Sequence, residues 1–147
     1  MICPRFLINH GIRRFSTESG KIPNILHVTA RHSEQSVVAS ASNSLFSKLN
    51  FKYNLTERHL FEEQLLPYNM EHVKAKFKIM EGKGTEEDFA LFGPVKAMAE
   101  ELNENDVLII STPMWNMSVP YNLKQYIDIV IQPGKIMNRN KARCRFM

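Results

Sequence analysis

The stretch "NDVLIISTPMWNMSVPYNLKQYIDIVIQPG", residues 105–134, decides the fold class. It begins with four consecutive apolar residues, 107–110, continues through a loop between two prolines, and then places apolar residues at helical spacing from Val119 onward. A short, continuously apolar run is typical of a strand covered on both faces of a parallel sheet. The stretch therefore predicts a strand, a stiff loop and a helix, which together form one β–α unit.

A second β–α unit occurs near the start of the chain. Residues 24–30, "NILHVTA", follow Pro23 and are typical of a short apolar strand, and the polar turn "RHSEQS" leads into a helix with Ser33 as its expected N-cap. Apolar positions recur at helical spacing in that helix: Val37, Val38, Ala41, Leu45, Phe46 and Leu49. Two such units without hairpin signals predict an α/β fold of three layers around a parallel sheet.

Between these units the sequence predicts one more strand and further helices. Residues 51–60 alternate apolar with polar side chains, as in a strand near a sheet edge. Residues 70–80 fit a short basic helix, and Thr85 followed by three acidic residues fits the start of another. Because Gly93-Pro94 interrupts the apolar stripe of the latter, we expect a kink there or two separate helices.

Composition fits a single globular domain and argues against two classes of partner. Of the 147 residues, 44% are hydrophobic and 23% charged, and the apolar runs are far shorter than the roughly 20 residues that cross a bilayer, so no membrane partner is expected. The net charge of +4 comes from the ends of the chain, since residues 18–137 hold 12 Lys and Arg against 15 Asp and Glu, a net −3. Nucleic-acid binding is therefore not expected.

The two terminal segments differ from the rest. Residues 1–17 contain arginines and hydroxyl side chains but no acid, which predicts a mitochondrial targeting segment, with a cytoplasmic protein as the alternative. Cys3 and Cys144 lie in the flanking segments and indicate neither a core disulfide nor a metal site. The five histidines show no metal-ligand spacing and no pairing with a carboxylate cluster, so no metal is expected.

Two loops follow the carboxyl ends of the predicted strands, where open parallel sheets bind ligands. Residues 29–36 precede a helix N-terminus, whose free N–H groups favour a phosphate, although an ordinary capped helix would also contain serines. In residues 112–118, two prolines stiffen the backbone around Met114, Trp115, Asn116 and Met117. Core packing would explain Trp115 alone, but the four residues together indicate a loop that contacts the edge of a flat ring.

The residues "PMWNMSVPYNLKQYIDIVIQPG", 113–134, resemble the flavin-contacting loop and following helix of the FMN-dependent NADH:azoreductases, flavodoxin-like proteins related to the NAD(P)H:quinone oxidoreductases. The segments "NILHVTA", "LFEEQLLPYN" and "ENDVLIISTP" fall in the expected order, so the resemblance covers residues 22–134. It implies a flavodoxin-like fold, noncovalent FMN, NADH or NADPH as electron donor, a quinone or azo acceptor, and a homodimer. It also implies eight cofactor-binding residues: Arg31, Ser33, Ser36, Pro113, Met114, Trp115, Asn116 and Met117.

Two departures from the family pattern bear on this interpretation. Val38 and Arg31 stand where family members commonly have serines, although Arg31 could pair with the phosphate directly. Residues 135–147, "KIMNRNKARCRFM", have no strand period where the family continues with further strands and a serine-glycine loop, so we expect an incomplete domain whose third strand is an exposed edge.

The alternative function is a noncatalytic fragment that cannot hold FMN and at most binds a full-length partner. A phosphopantetheine-handling hydrolase would need a nucleophile or metal set that the sequence does not display.

Overall fold

The computed structural model describes residues 21–132, so the predicted targeting segment and basic tail lie outside the described residues. Strands and helices alternate in the order predicted from the sequence. The elements are β1 (Asn24–Thr29), α1 (Val37–Ser47), β2 (Asn54–His59), α2 (Met70–Met80), α3 (Glu86–Glu104), β3 (Val107–Ser111) and α4 (Tyr121–Val130). All strand pairs in the described sheet are parallel and the order is β2-β1-β3. The predicted parallel α/β architecture is confirmed.

The central strand β1 is covered on both faces, which produces the three layers. Leu26 and Val28 are fully buried and belong to a core cluster with Val95 of α3 and Tyr126 of α4. On the opposite face, the His27 ring meets the ring of Phe46 in α1 edge-on, with 5.0 Å between centroids. Helix α1 therefore covers one face of the sheet, and α3 and α4 cover the other.

The start of α1 differs from the prediction, because Ser36 and not Ser33 is its N-cap. The Ser36 hydroxyl accepts from the backbone N–H of Ala39 at 3.2 Å, as an N-cap side chain does. The backbone N–H of Ser36 donates to the carbonyl of Ser33 at 3.3 Å, which makes residues 33–36 a turn before the helix. Both serines satisfy the sequence rule for an N-cap, and this additional turn decides between them.

Only part of the predicted apolar stripe of α1 faces the sheet: Val38, Phe46 and Leu49 are partly buried, and the Phe46 ring contacts His27. Val37 is 85% exposed and Leu45 44% exposed, whereas Ala39 and Ser42 are buried against the sheet. Small side chains let a helix approach a sheet closely, so the contact surface of α1 does not follow hydrophobicity alone. Ser42 tolerates burial because its hydroxyl is hydrogen-bonded on this face.

Helix α3 continues through Pro94 as one element, so the two-helix alternative is wrong. Proline removes one helical hydrogen bond, but the residues after it, Val95 and Ala99, are fully buried and anchor the second half of the helix. At the N-terminus, Thr85 and Asp88 form the reciprocal capping box that the acidic first turn suggested.

The outer strand β3 is covered less than its sequence predicts. Leu108 and Ile110 are 41% and 42% exposed, so within the described sheet β3 is an apolar edge strand open on the face that carries α4. This corrects the expectation of burial on both faces and agrees with the expected exposed edge. Across residues 21–132, no helix is long and apolar enough to cross a membrane.

Tyr126 is a buried tyrosine of the core. It is 1% exposed, and its hydroxyl finds no partner among the residues that the structure describes. Burial raises the pKa of Tyr126 to about 12, and the carboxylate of Glu101 acts in the same direction. Because burial disfavours ionisation of Tyr126 in the folded state, this group leaves the folding stability unchanged below the unfolded pKa of 10.0 and lowers it as the pH rises toward 12.

Replacing Tyr126 with phenylalanine is expected to raise the free energy of unfolding by about 1 kcal/mol at neutral pH, because it removes an unsatisfied buried hydroxyl. The variant should also lose less stability than the wild type between pH 10 and 12. Urea unfolding at several pH values measures both effects. Tyr121→Phe is the matched control, since Tyr121 is 70% exposed and should change neither quantity. A large loss of stability in Tyr126→Phe would mean that the hydroxyl has a partner after all.

Candidate functional site

The loop after β3 is a tight two-residue hairpin. The backbone groups of Trp115 and Ser118 exchange both hydrogen bonds, at 2.8 and 2.9 Å. Between them, Asn116 and Met117 have positive φ angles of 48° and 62°. Positive φ at both central residues is the type I′ pattern, in which asparagine is favoured at the first position. The loop predicted to be stiff is thus a defined turn with fixed side-chain directions.

Met117 makes this turn strained. Left-handed backbone costs a non-glycine residue roughly 1–2 kcal/mol, and methionine has no short polar side chain to offset it. Such strain persists only where the surroundings impose it, and it concentrates at functional sites. Here the turn is held between Pro113 and the fully buried Pro120, which caps α4.

Trp115 and Asn116 border a cleft of about 650 Å³, which lies within the usual range for ligand sites. Its walls include Tyr68, from the loop before α2, and Tyr121, the first residue of α4. Phe61 supports the Trp115 ring from behind, with 5.3 Å between centroids. The prediction that the hairpin faces a cleft at this end of the sheet agrees with the structure.

The aromatic residues Phe61, Tyr68 and Tyr121 were not identified from the sequence as part of the site. Phe61 and Tyr68 belong to "LFEEQLLPYN", a loop that the sequence placed correctly but to which it gave no partner. Phe61 also meets Tyr121 edge-on, with 6.5 Å between centroids. The three rings come from two segments, the loop of residues 60–69 and the start of α4, so their arrangement around Trp115 is a tertiary feature.

The methionines of the hairpin point outward. Met114 is 73% exposed and Met117 is 87% exposed, and neither is among the residues that line the cleft. Pro113 is partly buried, and its carbonyl accepts from the Thr112 hydroxyl at 3.0 Å. The hairpin therefore presents an apolar outer rim, formed by the two methionines, beside its tryptophan wall.

The loop before α1 is a separate candidate anion site. The Arg31 guanidinium, 12% exposed, is paired with the carboxylate of Glu34, so a phosphate would have to replace that carboxylate. Among the described residues, no hydrogen-bond acceptor is found for the N–H groups of Val37 and Val38 at the start of α1. These two N–H groups lie at the positive end of the helix and are free to donate to an anion.

The two predicted halves of the site are not brought into one cleft. Ser33 is exposed and Ser36 is occupied with capping, and no residue of 30–36 appears among the described residues bordering the hairpin cleft. Both loops nevertheless lie at the carboxyl ends of neighbouring parallel strands, β1 and β3. The assignment of all eight residues to a cofactor stays a prediction.

A part-buried chain of polar side chains runs across one face of the sheet beneath these loops, and sequence reasoning did not find it. The Nδ1 of His27 lies 2.8 Å from a carboxylate oxygen of Glu57, and the Nε2 of His27 lies 2.9 Å from the Ser111 hydroxyl. This contact of His27 with a single carboxylate was not predicted from the sequence. In residues 21–132 there is no cluster of three or more His, Cys, Asp or Glu side chains able to hold a metal ion.

A protein-family model described as "Flavodoxin-like fold", Flavodoxin_2, matches residues 23–144. The chain belongs to this family. The match to the flavodoxin-like family covers both candidate loops and extends into residues 135–147, the predicted basic tail.

Two curated proteins, each named as an FMN-dependent NADH:quinone oxidoreductase, resemble this chain over 69% and 75% of its length. It is 31% identical to FMN-dependent NADH:quinone oxidoreductase 1 of Bradyrhizobium diazoefficiens over 103 residues, which are 69% of this chain and 50% of that protein. It is 32% identical to the FMN-dependent NADH:quinone oxidoreductase of Nitratidesulfovibrio vulgaris over 117 residues, 75% of this chain and 55% of that protein. The chain thus spans about half the length of the curated relatives that it matches.

A solved structure shares the fold. The azoreductase from Bacillus anthracis str. Sterne superimposes with a TM-score of 0.66 at 24% identity, over 78% of this chain and 58% of that one. The similarity shows that the three-stranded sheet and its helices are arranged as in a flavodoxin-like protein.

Proposed function

We propose that this chain belongs to an FMN-dependent oxidoreductase that takes electrons from NADH or NADPH and passes them to a quinone or azo compound. The observation that carries the proposal is the strained type I′ hairpin, which places Trp115 and Asn116 beside a cleft that Tyr68 and Tyr121 also line. The curated relatives, named as FMN-dependent NADH:quinone oxidoreductases, support the same reaction class.

The donors of the two loops fit the two ends of FMN. The free N–H groups of Val37 and Val38, with Arg31 released from Glu34, would hold the phosphate. Trp115 and Asn116 would contact the ring system at the hairpin, where rigid backbone groups can meet its polar edge. When bound, FMN supplies the hydride-transfer chemistry, so the protein needs no acid–base pair of its own.

The side chains around the hairpin would orient the cofactor and exclude water from it. Phe61 fixes the Trp115 ring from one side, and the exposed Met114 and Met117 offer flexible apolar surface at the rim. These residues bind and shield; none of them has to gain or lose a proton. A flat aromatic acceptor is the class of substrate that such walls favour.

Two further features are part of this proposal. The resemblance to azoreductases favours a homodimer with the flavin near the subunit interface, which sedimentation analysis would test. The acid-free composition of residues 1–17 favours import into mitochondria. The localisation of a fluorescent protein fused to this segment would test it, and a diffuse cytoplasmic signal would contradict it.

The experiment for the proposed activity is a visible spectrum of the purified chain before and after anaerobic addition of NADH. A yellow protein that bleaches supports the oxidoreductase. If the protein is colourless even after incubation with FMN and removal of the unbound FMN, the result contradicts the proposed activity and supports the noncatalytic alternative.

Replacing Asn116 with alanine is expected to weaken FMN binding by roughly ten- to thirtyfold. The change combines left-handed strain with loss of the side-chain contact, together about 2 kcal/mol. Asn116→Gly is the matched variant, because glycine adopts the φ of 48° without strain and loses only the side chain. Fluorescence titration with FMN measures both affinities. If both variants bind FMN as tightly as the wild type, Asn116 does not contact the flavin.

A further inference from the structure

Four side chains from four different elements form one hydrogen-bonded chain across the α1 face of the sheet. Glu57 of β2 contacts the Nδ1 of His27 at 2.8 Å, and the Nε2 of His27 contacts the Ser111 hydroxyl at 2.9 Å. The Ser42 hydroxyl of α1 lies 2.7 Å from the Ser111 hydroxyl and 2.9 Å from the carbonyl of Val38. We call these four residues, Glu57, His27, Ser111 and Ser42, the cross-sheet chain.

The cross-sheet chain is buried where it meets α1. His27 is 1% exposed and Ser42 is 4% exposed. The carboxylate of Glu57 can only accept, so the Nδ1 of His27 donates to it, and the Nε2 of His27 and the two serine hydroxyls form the rest of the hydrogen-bonded chain. The Glu57 side chain, by contrast, is 41% exposed. At the buried members, His27 and Ser42, an unmade bond would leave an unsatisfied polar group, so these two residues restrain the Ser111 hydroxyl that lies between them.

The cross-sheet chain connects the two candidate loops. Ser111 is the last residue of β3 and directly precedes Thr112, where the hairpin loop begins. Ser42 lies in α1, the helix whose N-terminus offers the free N–H groups. Their contact at 2.7 Å therefore fixes the end of β3 against α1.

We propose that Ser111 is a positioning residue, held by His27 and Ser42, that sets the hairpin at residues 112–118 relative to the start of α1. The assignment of that hairpin to flavin rests on the proposed function, whereas the connection between the two loops rests on the contacts alone. A cofactor that spans both loops needs a fixed distance between them, because a displacement of about 1 Å is enough to weaken a site.

A hydrolytic role for the same residues is less consistent with the structure. Carboxylate, histidine and serine make contacts in the order found in hydrolase triads. However, His27 is 1% exposed, and neither the hairpin cleft nor the cleft between α2 and α3 is lined by His27 or Ser111. A substrate carbonyl could not reach the Ser111 hydroxyl from these clefts, so the geometry fits positioning.

The protein contains its own reporter for this proposal. Trp115 is the only tryptophan among the 147 residues and lies four positions after Ser111 in the hairpin loop. Its emission maximum and its quenching by acrylamide therefore report the position of the loop without any flavin. In Ser111→Ala we expect a shifted emission maximum and a changed quenching constant while the protein is still folded. A role in stability alone would move the unfolding midpoint but not the native emission.

Three more variants complete the test. Ser42→Ala should shift the emission in the same direction, and it should fold, because alanine is the best helix former and Ser42 lies inside α1. Ser111→Thr retains the hydroxyl and should restore the wild-type emission. Ser40→Ala is the control, since Ser40 is an exposed serine on the same helix and should behave as the wild type.

The flavin titration distinguishes this proposal from the proposed function. With FMN, Ser111→Ala and Ser42→Ala should each bind about tenfold more weakly than the wild type, which is a difference of 1.4 kcal/mol. If the wild type does not bind FMN but the two variants still shift the emission, the positioning role holds and the flavin assignment fails. If the emission and quenching of both alanine variants match those of the wild type, the positioning role is wrong.

Discussion

Replacing Leu26 with alanine is expected to lower the free energy of unfolding by about 3 kcal/mol, a typical cost of a large-to-small change in a closed core. Leu26 is fully buried in the central strand and packs in the cluster that joins β1 to α3 and α4. The structure cannot easily collapse around the lost volume, because neighbouring strands hold β1 in register on both sides. Urea denaturation followed by circular dichroism measures the change.

The matched control for Leu26→Ala is Leu55→Ala in the neighbouring strand β2. Leu55 is 40% exposed, so its truncation removes less buried apolar surface and should lower the free energy of unfolding by less than about 1 kcal/mol. Similar losses in both variants would contradict the core that the structure describes. It would mean that β1 is not the central strand in solution.

Replacing Leu108 and Ile110 together with threonine is expected to weaken self-association of the chain roughly tenfold or more. These side chains are 41% and 42% exposed on β3, an apolar edge strand within the described sheet. Exposed strand edges pair with one another, and covering each side chain is worth about 1 kcal/mol in such a contact. Threonine is β-branched, a shape that strands favour, so the sheet itself should persist. Sedimentation velocity over a range of concentrations measures the association.

The control for this double variant is Val37→Thr. Val37 is 85% exposed on α1, so this substitution removes exposed apolar surface that does not belong to a strand edge. We expect its self-association to equal that of the wild type. If the double variant associates as strongly as the wild type, the open face of β3 is not the surface through which copies meet.

The order and type of the elements could be predicted because local patterns determine them. Helix α2 begins and ends at the predicted residues, 70 and 80, since its apolar spacing and the following glycine-containing turn are both local signals. Thr85 was recognisable as a cap because its partner, Asp88, lies three residues away. The boundary of α1 was misplaced by three residues because two serines were equally suited to cap it.

Part of the candidate site was also accessible from sequence. A constrained loop was predicted from Pro113, Trp115 and Asn116, and in the structure this loop is a type I′ turn beside a cleft. The pairing of Arg31 with Glu34 was not predicted, although the two lie only three residues apart, because a charge pair on a loop depends on its exact conformation. The aromatic support from Phe61 and Tyr68 depends on how distant loops pack.

The sequence alone determined that this chain forms parallel β–α units with a stiff loop after an apolar strand, because hydrophobic periodicity, capping and proline act over a few residues. Only the tertiary structure decided which face of α1 is buried, that β3 stays open on one side, and that Glu57, His27, Ser111 and Ser42 join in one chain. His27 and Ser111 are 84 positions apart and become neighbours only through the register of parallel strands. Contacts of that kind arise from the pairing of whole elements, which no short stretch of sequence encodes.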